Sequence, residues 1–176
     1  MAHFLRDNRG SASIEFVVLF PLLFAILMAF LEMGWLMTKH MMLDRGLDVT
    51  MRQIRIASAP VTNYEAIRTA ICANAFIFSD CEEELKIQLV PVDDVTPAIL
   101  SSADCYDRGL DAAANAATDY AAGGGGRDQI MFVRVCVLVN PILPGVGYGY
   151  RISHNDAGET VGYSMISYSA FMNEPA

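Results

Sequence analysis

The chain has 176 residues, 12 of them Lys or Arg and 20 Asp or Glu, so it carries a formal charge of −8 with only 18% charged residues. That acidity argues against nucleic-acid binding, which needs clustered Lys and Arg, and the length leaves room for one domain, not two, after a membrane segment. Mean hydropathy is +0.32, as expected when an apolar span is averaged with a small domain.

Residues 1–10 are short, polar and basic, too short to fold. The chain then turns apolar, and sixteen residues without a charge separate Glu15 from Glu32. Crossing a ~30 Å hydrocarbon core takes about 20 residues at 1.5 Å each. The run therefore spans a membrane only with Glu15 or Glu32 drawn in or close to its edge, and an ionisable residue there costs a few kcal/mol. The transmembrane part is placed at about 14–38, with Trp35, Lys39 and His40 where an interfacial belt belongs. Beyond it Leu43, Leu47, Met51 and Ile54 recur at spacings of four, four and three, an amphipathic pattern. Asp44, Arg45, Asp48, Arg52 and Arg55 largely occupy the other faces. This predicts one helix from Ser11 to Ser58, ended by Pro60. Pro21 lies inside it. Such a proline costs roughly 3 kcal/mol in water, whereas membrane helices tolerate it with a kink. It either softens the helix for repacking or is simply permitted there.

Thr62 and Glu65 have the spacing of a capping box, and Ile67, Ala70, Ile71 and Ala75 follow on one face, predicting a second helix over 63–76. Cys81 and the acidic run Glu82–Glu84 end it and turn the chain, a solvated turn rather than a metal site. Leu85, Ile87 and Leu89 alternate with Lys86, Gln88 and Val90, so 84–92 reads as a half-buried strand. Residues 93–128 are the loosest stretch, with an alanine-rich piece over 111–122 suited to a short helix and glycines 123–126 as a flexible connection. Those glycines are not a phosphate loop, because no Gly-Lys-Ser/Thr follows them. The clearest strand is 129–140, with Met131, Val133, Val135, Val137 and Val139 on one face and Arg134 and Cys136 on the other. Residues 145–150, rich in Gly and Tyr, read as a loop and a contact surface, and 159–173 as the last strand. The predicted fold is α+β, a small antiparallel sheet packed with one or two helices against the upper half of the long helix.

Gly10 followed five residues later by Glu15 and then Phe16, at the head of an apolar helix, resembles the type IV prepilin signal. More specifically, Arg9-Gly10, Glu15-Phe16, Pro21 within a Leu-rich run and Glu32-Met33-Gly34 resemble the TadE/TadF minor pseudopilins of tight-adherence pili. A weaker echo is Phe171-Met172-Asn173-Glu174-Pro175, and the likeness is thin in the middle of the chain. The resemblance implies residues 1–10 as a leader, cleavage between Gly10 and Ser11 by a prepilin peptidase on the cytoplasmic side, and a periplasmic domain over 59–176. It also implies that Glu15 neutralises the N-terminal amine of a neighbouring subunit, a pairing that opposite charges in a low-dielectric bundle strongly prefer. Other pilin subunits and the inner-membrane assembly machinery would be its partners. Arg6 and Arg9 before the helix against Lys39 and Arg45 after it give only a weak N-in vote by charge alone.

Two blander readings compete: an uncleaved membrane-anchored binding protein of the envelope, and a secretory signal peptide. Glu15 at the head of the apolar core and the lack of a small-x-small site before Glu32 disfavour the latter. All four cysteines lie beyond the helix, an even number suited to an oxidising compartment. Three pairings are open. Cys72–Cys81 with Cys105–Cys136 is preferred, since the first closes a short loop and the second ties a loop to a strand; four reduced thiols are the alternative. Zinc is disfavoured because no two cysteines lie close in sequence. No catalytic constellation stands out and no cofactor is expected. His154 sits in a polar loop, where with Asp156 and Glu159 it forms at best a weak candidate cation set, and Asp93-Asp94 on a strand would face opposite ways.

Overall fold

The computed structural model describes residues 11–57, 63–97, 105–110, 115, 120, 129–143, 147–154 and 161–172. Helix α1 (Ser11–Ala57) is continuous. Helices α2 (Tyr64–Asn74) and α3 (Cys81–Glu84) precede strand β1 (Lys86–Pro91), a 3-10 turn over Val92–Asp94, and strand β2 (Ile130–Val139). Helix α4 (Gly147–Ser153) and strand β3 (Tyr163–Met172) complete the set. The three strands form one antiparallel sheet in the order β1-β2-β3. The fold is the expected α+β arrangement of a long apolar helix followed by a small sheet with helices. Ser58, Pro60, Thr62, the alanine-rich piece apart from Asn115 and Tyr120, glycines 123–126 and Asn173-Glu174-Pro175 lie outside the described residues.

The core forms where the second half of α1 meets the sheet. Leu36, Leu43, Leu47 and Met51 are buried, with Ile54 packed beside them. They recur at steps of seven, four, four and three residues and so lie along one helix face. That face meets Met131, Val133, Val135, Val137 and Val139, all buried, and across the register Met165 and Phe171 of β3. Helix α2 lies beside α1 through Gly46. A Cβ added there would stand 2.8 Å from the Ala75 Cβ and 3.0 Å from the Ile71 carbonyl oxygen. Thr50 then donates to the Gly46 carbonyl at 2.8 Å, and Asn74 donates to the Thr50 hydroxyl at 3.3 Å. Because backbone rather than a flexible side chain fills the space, Gly46→Leu is expected to destabilise the domain by about 1–3 kcal/mol. Thermal unfolding of the full-length chain in detergent checks this, and an unchanged midpoint would remove the close-approach argument.

Three expectations need correction. The second helix is capped by Asn63, whose side chain accepts from the Glu65 N–H at 3.1 Å, and not by a Thr62–Glu65 box. Asn one residue later satisfies the same orphan donor. Strand β1 is buried on both faces, with Lys86 and Gln88 covered as well as Ile87 and Leu89. The cause is a long-range tie invisible to periodicity. The bond between Cys105 and Cys136 holds the chain on the face that Cys136 shares with Lys86. Asn115 braces the turn at 107–110, and Tyr120 bridges Leu89 in parallel. Arg108 secures this cover, clasping Glu84 through Nε and Nη2 at 2.6 and 2.9 Å and donating to Asn140 at 2.7 Å. That hydrogen bond to the carboxylate, the largest influence on it, raises the Arg108 pKa above its ordinary value. A second bond joins Cys72 in α2 to Cys81, with Cα atoms 5.6 Å apart.

Finally, 147–153 is a helix rather than a loop. Gly149 packs directly against the backbone of Leu143 and against Pro141, with no room for a side chain, and Ser153 donates to its carbonyl at 2.8 Å. Close approach, not a turn, is what this glycine serves.

Candidate functional site

The first half of α1 makes no core. Ile14, Phe16, Leu19, Leu23, Phe30 and Leu31 are all exposed, Phe30 at 70%. Apolar side chains cover the whole circumference rather than one stripe, and such a helix belongs in lipid or in a bundle of other helices. Its composition and length are those of one membrane-crossing helix near the N-terminus, which fits a single-pass membrane protein. Phe16, Phe20 and Phe24 stack at helical spacing, with centroids 5.3 and 5.7 Å apart. The helix is unbroken across Pro21, although its missing N–H leaves the Val17 carbonyl without an intrahelical donor.

Of the residues singled out from sequence, Gly10 lies outside the described residues and Ser11 opens α1. Glu15 is exposed and stands one turn into the helix. Glu15 and Pro21 are six residues apart on an exposed helix, so the structure sets them on one stretch without bringing them into one contact.

The second acid at the span edge behaves differently. Glu32 is only 3% exposed. Its two carboxylate oxygens accept the backbone N–H groups of Ile142, at 2.8 Å, and Leu143, at 3.2 Å. The carboxylate thus clamps the chain leaving β2 onto α1. Sequence reasoning took Glu32 for a motif member and a span boundary. The available signal was its phase, since Glu32 lies four residues before Leu36 and eleven before Leu43 on the buried face. Just past the apolar span, burial lowers the pKa of the Lys39 ammonium while Glu32 opposes that shift. The ammonium lies 5.6 Å from the Trp35 ring centre and 5.9 Å from that of Phe78.

Two further polar side chains tie α1 to β3. Both His40 ring nitrogens face acceptors, Nε2 the Ile166 carbonyl at 3.1 Å and Nδ1 the Asp44 carboxylate at 3.2 Å. Asp44 in turn accepts the Ser167 hydroxyl. By sequence pattern alone His40 falls at the membrane edge and Asp44 on an outer face of α1. Gly34 is the opposite case: a Cβ there would meet nothing within 4 Å.

Of the weak cation set, Asp156 and Glu159 lie outside the described residues, while His154 stacks on Tyr150 with centroids 4.1 Å apart. Among the described residues no group of three or more His, Cys, Asp or Glu side chains is placed to hold a metal ion.

Compared with known families, residues 10–52 match the model of the TadE-like protein family. The match begins next to Ser11 and ends inside α1, so it covers the exposed apolar half, Glu15, Pro21, Glu32 and Gly34, and none of the sheet. That is consistent with a TadE-like protein of tight-adherence pili. No curated protein and no solved structure matches the chain.

Proposed function

We propose that this chain is a minor pseudopilin of a tight-adherence, type IV-like pilus. It is made as a precursor, cut between Gly10 and Ser11 by a prepilin peptidase, and takes part in priming, capping or incorporation at the fibre. Its role is structural, not enzymatic. The observation that carries this reading is the coincidence of the family match with a first half of α1 whose apolar side chains are exposed on every side. Before assembly that helix crosses the inner membrane with its N-terminus in the cytoplasm. The disulfide-linked sheet domain lies in the periplasm, where such bonds persist. Afterwards the same surface packs against other pilin helices of the assembly machinery. Glu15 pairs with the N-terminal amine of a neighbouring subunit, and Gly34, with open space beside it, lets a neighbouring backbone come close.

The intact mass and N-terminal sequence of the protein purified from its host's membranes test this. A mature chain beginning at Ser11 is the expected result. A chain retaining Met1 to Gly10 points instead to an uncleaved membrane-anchored binding protein of the envelope, and a start beyond Glu32 to a secreted domain.

A further inference from the structure

The two edges of the sheet carry opposite charge. Along the β3 edge, α1 and the strand enclose a cleft of about 540 Å³ lined by Arg45, Asp48, Arg52, Arg55, Ala170 and Phe171. All three arginines are exposed, and among the described residues none of them makes an ion pair. On an acidic protein this is a local concentration of cations, with only Asp48 among the described lining residues to offset it. Arginines beside an edge strand also discourage unspecific strand pairing. What gives these a direction is the far side of the sheet. There α3 leads into β1, and Asp80, Glu82 and Glu83 are exposed, while Glu84 is already held by Arg108.

Register sets the relative heights. Lys86 pairs with Cys136 and Cys136 with Ile166, so the acidic knob just before Lys86 lies near the level of Ile166. Ile166 is bound by His40. Arg45 and Arg55 follow His40 by five and fifteen residues, about 8 and 22 Å further along the helix axis. Two copies standing side by side at one height therefore miss each other's charges. Two copies offset along α1 by roughly 15 Å place the knob of one against the cleft of the other.

We infer that the arginine cleft between α1 and β3 is a docking site for the acidic α3 knob of a second copy of this chain, formed when the two helices are staggered. The contact is head-to-tail, so it leaves one free cleft and one free knob and continues into a row rather than closing a dimer. It deepens the proposed function, and rests on it, because the offset arises only where α1 helices pack side by side with an axial stagger.

The test replaces Ala170 by a photo-crosslinking benzoylphenylalanine in the full-length chain expressed in its host envelope. The expected product is a crosslink to the segment holding Asp80 to Glu84 of another copy. Arg52→Glu with Arg55→Glu should lower its yield by about tenfold or more, since like charges then meet. Glu82→Arg with Glu83→Arg should do the same, and combining the two pairs should restore the product. Restoration separates a charge contact from misfolding. A crosslink mapped to another protein or to lipid, no crosslink, or a yield indifferent to the swaps overturns the inference. The mass of the mature chain in the same sample keeps the two ideas apart. A cleaved chain without the crosslink sinks the docking site alone, and an uncleaved chain with it sinks the pilin reading alone.

Discussion

Glu15→Ala is expected to leave the leader cleaved and the chain abundant in the membrane, yet to be strongly depleted from assembled fibres. The expectation follows from what the carboxylate does at each stage. In a lone membrane helix an ionisable group near the apolar core is unfavourable by about 2.5–3.5 kcal/mol, so alanine inserts at least as well. On the proposed reading, the same carboxylate in a bundle faces the new N-terminal amine of a neighbour. Removing one member of a buried pair costs about 3–5 kcal/mol, because the other charge is left uncompensated. That corresponds to a loss of roughly a hundredfold or more in incorporation. Glu15→Asp should keep part of it, with the charge retained on a shorter arm. Comparing the variant in membrane and sheared-fibre fractions decides the matter: incorporation at the wild-type ratio would show that Glu15 has no part in subunit pairing.

Glu32→Ala acts on the fold instead. It strips the acceptor from two backbone N–H groups in a partly buried segment. Hydrogen bonds to a charged partner contribute about 1.5–3 kcal/mol each, and they are not additive in one clamp, so a loss of about 2–4 kcal/mol is expected. The damage should be local first: the chain following β2, and α4 packed on it through Gly149, come away from α1 before the β2–β3 core opens. Glu32→Gln retains one acceptor and turns an amide N–H toward the other donor, and it should fall between alanine and wild type. Limited proteolysis over 140–150 alongside thermal unfolding measures both effects. Equal protection of that segment in all three proteins would mean that the clamp carries no weight.

The long helix and the strands were legible because their signals are periodic. A charge-free run, and then Leu43, Leu47, Met51 and Ile54 at helical spacing, state which face is buried without knowledge of a partner; the alternating valines of β2 mark the strand and one buried face, while Arg134 and Cys136 on its other face are buried as well. The parts that were not legible depend on distant chain. Burial of Lys86 and Gln88 follows from a tether at Cys136 to a segment thirty-one residues away. The cap at Asn63 competed with an equally plausible residue one position earlier. Gly149 looked like a turn former, and its real reason is the backbone of Leu143 lying against it. Of the candidate site, Glu15 and Pro21 stood out because each is anomalous in an apolar helix. Glu32 was seen, but its clamp was hidden, since nothing local says that a loop more than a hundred residues later brings it two N–H donors.

The line of contacts along α1 has a mechanical meaning. Glu32 meets Ile142 and Leu143, His40 meets Ile166, Asp44 meets Ser167, Gly46 meets Ala75, and Thr50 meets Asn74. These attachments succeed one another over about five turns and lie on both flanks of the buried face. A shaft keyed at so many heights cannot spin inside its head. Any rotation imposed on the apolar half within a bundle is therefore delivered to the sheet domain as a swing about the helix axis. A small twist at the buried end becomes a larger displacement at the sheet's outer edges, where the charges are.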